Sequence, residues 1–259
     1  MSSNPGVTEN GFPNIFRLTN RDDRKGPSLA HYLIATMGKK RAIVIDDQTQ
    51  YGKGLADAFS NGFQAAGGVI VARQAVKVGD TQFGELVKGF SDDFDVVFFG
   101  GIGEGALILK EMRDEGVTQL FTCGDGCWDV KGFIIPSQGA AAKGEGVRIL
   151  SAAPALGTVP GSAEFAATYT AKYGPINNYA ASSYDSARVL FAAIEAAAKA
   201  KQRMPTRAEI VAALKAIRFQ GIAYAKPVMW NEKGDNTGAV IFVNVVEGDH
   251  FKEIDQIGQ

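Results

Sequence analysis

The sequence predicts an α/β protein built on a parallel sheet with helices on both faces. Three observations carry this. Short apolar runs rich in Val, Ile and Phe recur through the first 150 residues. Amphipathic stretches at helical spacing separate them. Glycine-rich connections follow the runs. A strand that is continuously apolar needs cover on both faces, and strand–helix–strand repetition supplies it.

The elements follow in order. Ala42-Ile-Val-Ile-Asp46 reads as a buried strand, and Tyr51-Gly-Lys-Gly leads into a helix over Leu55–Phe63. Val69–Ala72 is the second strand, and Phe83–Phe90 fits a helix. Asp95–Gly100 is the third strand, followed by a helix over Ala106–Glu115 that stops at Gly116. Gln119–Cys123 and Val147–Leu150 complete five strands. Beyond about residue 152 the character changes. Ala163–Lys172 and Ser182–Lys201 are alanine-rich helices, and Thr206-Arg-Ala-Glu209 is a capping box opening a third that runs through Ile217. Lys226–Trp230 and Ala239–Val246 then read as two strands around a turn-rich loop. This part has too few strands for a sheet of its own.

Bulk properties narrow the function classes. The 259 residues are 46% hydrophobic and 21% charged, with a formal net charge of -1, enough for one large core or two ordinary ones. Lys and Arg are scattered, so the basic footprint of a nucleic-acid-binding surface is absent. No run reaches the length of about 18 apolar residues that spans a membrane. The N-terminus lacks the basic and apolar regions of a signal peptide, which a processed or truncated chain would also lack.

Right-handed crossovers place every strand-to-helix loop on one sheet edge, beyond the carboxyl ends of the strands, where open α/β sheets bind ligands. The loops to read for function are therefore 46–54, 100–105 and 124–128. Gly101-Ile-Gly-Glu-Gly-Ala106, with Asp125 beyond the next strand, matches a dinucleotide fingerprint. Two strand–helix units precede it, whereas the fingerprint sits on a first strand, and neither histidine, His31 or His250, falls in an edge loop. A glycine-rich connection is the favoured reading. There is no Gly-x-Ser-x-Gly elbow and no phosphate loop. Asp92-Asp93 falls on the wrong edge, and loop capping explains Asp46-Asp47 as well as catalysis does. Cys123 and Cys127 lack nearby partners for a metal site. Free or buried thiols are favoured there, a disulfide across so short a loop being geometrically demanding. No catalytic residue, metal or cofactor is expected.

Motifs in order along the whole chain then point to a family. Asn14-Ile-Phe-Arg17, Arg21-Asp-Asp-Arg-Lys-Gly-Pro27, Ala42-Ile-Val-Ile-Asp-Asp47 and Tyr51-Gly-Lys-Gly-Leu55 resemble periplasmic leucine/isoleucine/valine-binding proteins. So do Val97-Phe-Phe-Gly-Gly101, Gly124-Asp-Gly126, Tyr184-Asp185 and Trp230-Asn-Glu-Lys-Gly-Asp235. The resemblance implies a two-lobed type I periplasmic-binding fold with doubly wound parallel sheets. Residues 21–151 and 241–259 would form the second lobe, and 1–20 with 152–240 a remnant of the first. About the first hundred residues of the family pattern have no counterpart, so the first lobe is expected to be incomplete and ligand binding impaired, with exposed apolar surface inviting self-association. The implied function is the periplasmic solute-binding component of an ABC importer for branched-chain or related amino acids, with a permease complex as partner and closure of two lobes on the ligand as mechanism. The resemblance makes Asp125 the acceptor of the ligand's α-ammonium, a charge-assisted hydrogen bond, and places Tyr51, Ile102 and Tyr179 around the ligand; Trp128 is expected there only from its proximity to the Asp125 loop. A cytoplasmic ligand-sensing regulator of the same fold, or an NAD-dependent oxidoreductase using the Gly101–Ala106 loop, are the alternatives.

Overall fold

The structure, a computed structural model, describes residues 2–258. In chain order the elements are α1 (Gly6–Glu9), α2 (Asp22–Ala35), β1 (Arg41–Asp46), α3 (Gln50–Ala65), β2 (Val69–Ala75), α4 (Gly84–Lys88) and β3 (Val96–Gly100). Then come α5 (Glu104–Asp114), β4 (Leu120–Cys123), β5 (Val147–Ser151), α6 (Ser162–Tyr173), α7 (Ala180–Lys201), α8 (Arg207–Ala216), β6 (Ile241–Glu247) and β7 (His250–Ile257). The chain divides into two compact units, Arg21–Ser151 with Ile241–Gln259, and Met1–Asn20 with Ala152–Val240.

The first of these units is a seven-stranded sheet in the order β2-β1-β3-β4-β5-β6-β7. The first five strands are parallel, β6 joins antiparallel to β5, and β7 joins antiparallel to β6. The sheet is therefore mixed, where sequence pattern led us to expect a parallel one. A tight turn at Gly248, which has φ 62°, returns the chain antiparallel, because so few residues cannot cross over a sheet face. Ala42 to Ile45 and Val96 to Phe99 are fully buried, which is why β1 and β3 are continuously apolar. Alternate residues serve opposite faces. Ala42, Val44, Val96 and Phe98 pack with Leu29, Leu33, Phe59 and Phe63 of α2 and α3, where the Phe59 and Phe98 rings stack at 4.1 Å.

Helix α2 is absent from the elements expected from sequence. Its mean hydropathy is low, with Asp, Arg and Lys in its first turn and Pro27 inside it. Close packing against α3 holds it. A Cβ on Gly26 would lie 2.5 Å from the Phe59 amide nitrogen, and one on Gly62 2.5 Å from Pro27. Only glycines let these helices approach so far.

The second unit has helices α1, α6, α7 and α8 around a small apolar cluster that includes Leu18, Val189, Leu214, Tyr224 and Val228. Lys226–Trp230, read as a strand from its sequence, makes only isolated bridges, Phe219 with Val228 and Trp230 with Asn236. The segment pairs within its own loop because no neighbouring sheet is present among this unit's described residues. Arg17 anchors this unit: its buried guanidinium donates to Asp235 Oδ1 at 2.9 Å, to Thr8 Oγ1 at 2.7 Å and to the Asn4 carbonyl at 2.7 Å. The expected capping box forms at Thr206 and Glu209.

Candidate functional site

The loops after β1, β3 and β4 meet at the carboxyl edge of the sheet. After β1 the chain turns through Gln48, at φ 63°. Asp46 Oδ1 accepts from the Gln48 amide at 2.9 Å, and its Oδ2 from Arg73 at 2.6 Å. Asp47 Oδ1 accepts from the Thr49 amide and hydroxyl, at 3.0 and 2.6 Å. Thr49 Oγ1 in turn accepts from the Gly52 amide and caps α3. Both acids hold the turn that sets Tyr51 into the first turn of α3, which matches the capping reading.

The glycines bring the three loops into backbone contact. A Cβ on Gly52 would collide with the Gly100 carbonyl, and one on Gly126 with the Gly101 carbonyl. Within the glycine-rich segment, Gly101 and Gly105 serve close packing, since a Cβ on either would collide with Phe99. Glu104, in the first turn of α5, is buried and accepts from the Gly79 amide at 2.8 Å. A negative charge in that turn disfavours an anionic ligand at the same helix end.

Asp125 opens a short 3-10 turn, Asp125–Cys127, after β4. Tyr51 reaches across: its hydroxyl donates to Asp125 Oδ1 at 3.1 Å and accepts from the Gly126 amide at 3.0 Å. Ile102 lies on the loop after β3, with 57% of its surface exposed. Its side chain, like the Tyr51 ring, comes within 3.1 Å of where a Gly126 Cβ would stand. Tyr51, Ile102 and Asp125 therefore converge on one patch. Trp128 follows in the same turn and is buried. Tyr179 belongs to the other unit, where it forms the N-cap residue of α7.

The cysteine expectation is corrected. Cys123 and Cys127 form a disulfide, with Cα atoms 6.1 Å apart. The 3-10 turn folds the chain back so that this separation falls in the usual bridging range, although the two cysteines are only four positions apart in sequence. The bond closes the loop that carries Asp125.

One further group went unnoticed in the sequence. Lys25, in the first turns of α2, is fully buried, and its ammonium lies 2.7 Å from Asp125 Oδ1 and 3.4 Å from Asp22 Oδ1. A buried ammonium needs such partners. Its signal in the sequence is faint: a lysine three residues after an aspartate, in a charged segment.

Among the described residues no cluster of three or more His, Cys, Asp or Glu could hold a metal ion, and no helix is long and apolar enough to cross a membrane.

The open sheet, with glycine-packed loops and a tyrosine, an acid and a lysine gathered at its carboxyl edge, defines a ligand-binding α/β protein. The chain belongs to the periplasmic binding protein family, whose model matches residues 1–250. Family members are substrate-binding proteins, not enzymes. The chain is 33% identical over 236 residues to a Leu/Ile/Val-binding protein, BraC3, of Rhizobium johnstonii, covering 90% of this chain and 61% of that protein. It is 27% identical over 241 residues to a leucine-specific-binding protein of Salmonella typhimurium, covering 92% of this chain and 62% of that one. The chain thus spans less than two thirds of the length of these curated relatives. Among solved structures, the leucine-binding protein LivK of Thermotoga maritima superposes with a TM-score of 0.85 at 27% identity, covering 99% of this chain and 71% of that one. The isoleucine complex of LivJ from Streptococcus pneumoniae, at 23% identity, shares the fold with a TM-score of 0.79 over 98% of this chain and 70% of its own.

Proposed function

We propose that this chain acts as the extracytoplasmic solute-binding component of an ABC importer, taking small organic solutes of the size of branched-chain amino acids. The observation that carries this reading is the convergence of Tyr51, Ile102 and Asp125 at the carboxyl edge of the sheet, where open α/β sheets hold ligands. Relatives named for leucine, isoleucine and valine binding support the solute class. The Cys123–Cys127 bond supports an oxidising, extracytoplasmic setting, because cytosolic thiols are kept reduced. Closure of two lobes on the solute, and delivery to a permease, are the remaining parts of the reading. Ile102 supplies apolar contact to the solute, and Trp128 and Tyr179 complete the proposed ligand set. Self-association through the exposed side chains of Tyr173, Leu190 and Phe191 is proposed as well; sedimentation that is independent of concentration would rule it out.

A thermal-melt panel tests the proposal. Leucine, isoleucine, valine, phenylalanine, their keto acids, simple carboxylates and NAD are each added to the full chain. A ligand at a hundred times its Kd stabilises the folded state by about 2.7 kcal/mol. At least one small organic solute is expected to raise the melting temperature, and NAD is not. Stabilisation by NAD alone would favour the dinucleotide reading instead.

A further inference from the structure

The Asp125 carboxylate already has an ammonium partner from the chain itself. Lys25 Nζ sits 2.7 Å from Asp125 Oδ1, and the lysine side chain is completely shielded from solvent while Asp125 keeps 11% of its own exposed. The pair is therefore covered on the lysine side and open on the aspartate side. From that open side a solute meets a carboxylate whose charge is already neutralised. Asp22, 3.4 Å from Lys25 on the far side, does not restore a negative charge at the surface. It is 1% exposed and lies in the first turn of α2, where the unsatisfied amide groups of the helix offset a carboxylate.

We propose that Lys25 is a specificity-determining residue: its buried ammonium already pairs with the carboxylate that would receive a ligand α-ammonium, so that the solutes selected are small keto acids and carboxylates rather than α-amino acids. This rests on the solute-binding reading above and narrows it. The physical argument is one of like charge. A ligand ammonium within hydrogen-bonding distance of Asp125 would come close to Lys25 Nζ, in a site with little water to screen the two cations. Lys25 has no route of retreat. Its stem lies in the part of α2 that packs tightly on α3, with Gly26 against Ala58 and Phe59. Moving the ammonium away would leave a buried charge unpaired. A solute whose corresponding group is a carbonyl or a methylene meets neither penalty. A carbonyl oxygen there can accept from a donor. An anionic group is tolerated because the acid beneath it is paired.

Calorimetric titration of the full chain with leucine, α-ketoisocaproate and isocaproate, which share one branched skeleton, tests the inference. The wild-type chain is expected to bind α-ketoisocaproate or isocaproate about tenfold or more tightly than leucine, the scale of an adverse charge contact. In K25Q, which removes the Lys25 ammonium from Asp125, the order is expected to invert in favour of leucine, while K25R keeps the wild-type order. Leucine as the tightest ligand of the wild-type chain overturns the assignment, even if K25Q does not fold. So does an unchanged ratio in a folded K25Q. Binding of none of the three by any of the proteins overturns the solute-binding reading itself, and the inference with it, which separates the two failures.

Discussion

Removing the Lys25 ammonium would take away the buried cation that lies 3.4 Å from Asp22 and 2.7 Å from Asp125. Lys25→Met is therefore expected to cost about 3–5 kcal/mol, the range for breaking a buried pair by deleting one partner. Urea denaturation measures it, and a loss below about 1 kcal/mol, the worth of an exposed pair, would place Lys25 in solvent instead. Asp185 makes a different prediction. Its Oδ2 accepts from the Ile222 and Ala223 amides, at 2.8 and 2.7 Å, while desolvation raises its pKa above the ordinary 3.8. A carboxyl whose folded-state pKa is raised favours the fold below its unfolded value and loses that contribution as pH rises through the folded value. Asp185→Asn should thus gain stability relative to wild type as pH rises from about 4 to about 7, read from paired urea titrations; a constant difference contradicts it. At this scale the position of Asp125 was legible in the sequence, because a loop just after a parallel strand lies at the carboxyl edge of the sheet. Lys25 was not, since its partner is 100 residues away and only the packing of α2 on α3 joins them.

Strands buried on both faces announced themselves. β1 and β3 lie within a residue of where their apolar runs place them. The failures have physical causes. β7 reads Glu, Lys, Asp and Gln between single apolar positions and is largely exposed, the charged dress of an edge strand, so no apolar run marks it. Lys226–Trp230 has strand-like composition but no neighbouring strand beside which to extend. Helix α8 shows how a cap can be read directly and then tested. Arg203 and the Thr206 amide hold the Glu209 carboxyl at a pKa of about 2, down from 4.5. A depressed carboxyl stabilises above its unfolded value and loses that contribution as pH falls through its folded one. The start of α8 should therefore fray as pH drops from 4.5 toward about 2, and Glu209→Gln should show no such change; amide exchange at residues 207–210 reports it. The disulfide also has a direct readout. Both sulfurs are fully buried, so alkylation should add two groups only after reduction and unfolding. Labelling of the unreduced, unfolded chain would contradict the bond.

At the scale of the molecule the two units differ in what holds them. One has seven hydrogen-bonded strands and a core of fully buried Phe, Ile and Val. Among the described residues of the other, helices pack on a cluster in which Leu18, Leu214 and several neighbours are only just buried, with isolated bridges. Amide exchange should accordingly be slowest in β1, β3 and β4 and faster throughout α6, α7 and α8, because protection follows buried apolar contacts. Equal protection would contradict this. The sheet-bearing unit was legible in sequence through its alternation of apolar runs and helices. The helical one was legible mainly as a shortage of strands. A small solute is proposed to bind at the carboxyl edge of the sheet. Amide chemical-shift mapping during titration with α-ketoisocaproate shows where it lands. Shifts are expected at Tyr51, Ile102 and residues 124–128, with Gly67 and Gly116, beyond the opposite ends of α3 and α5, unmoved. Shifts confined to that opposite side, or none at any solute concentration, would contradict binding at the carboxyl edge.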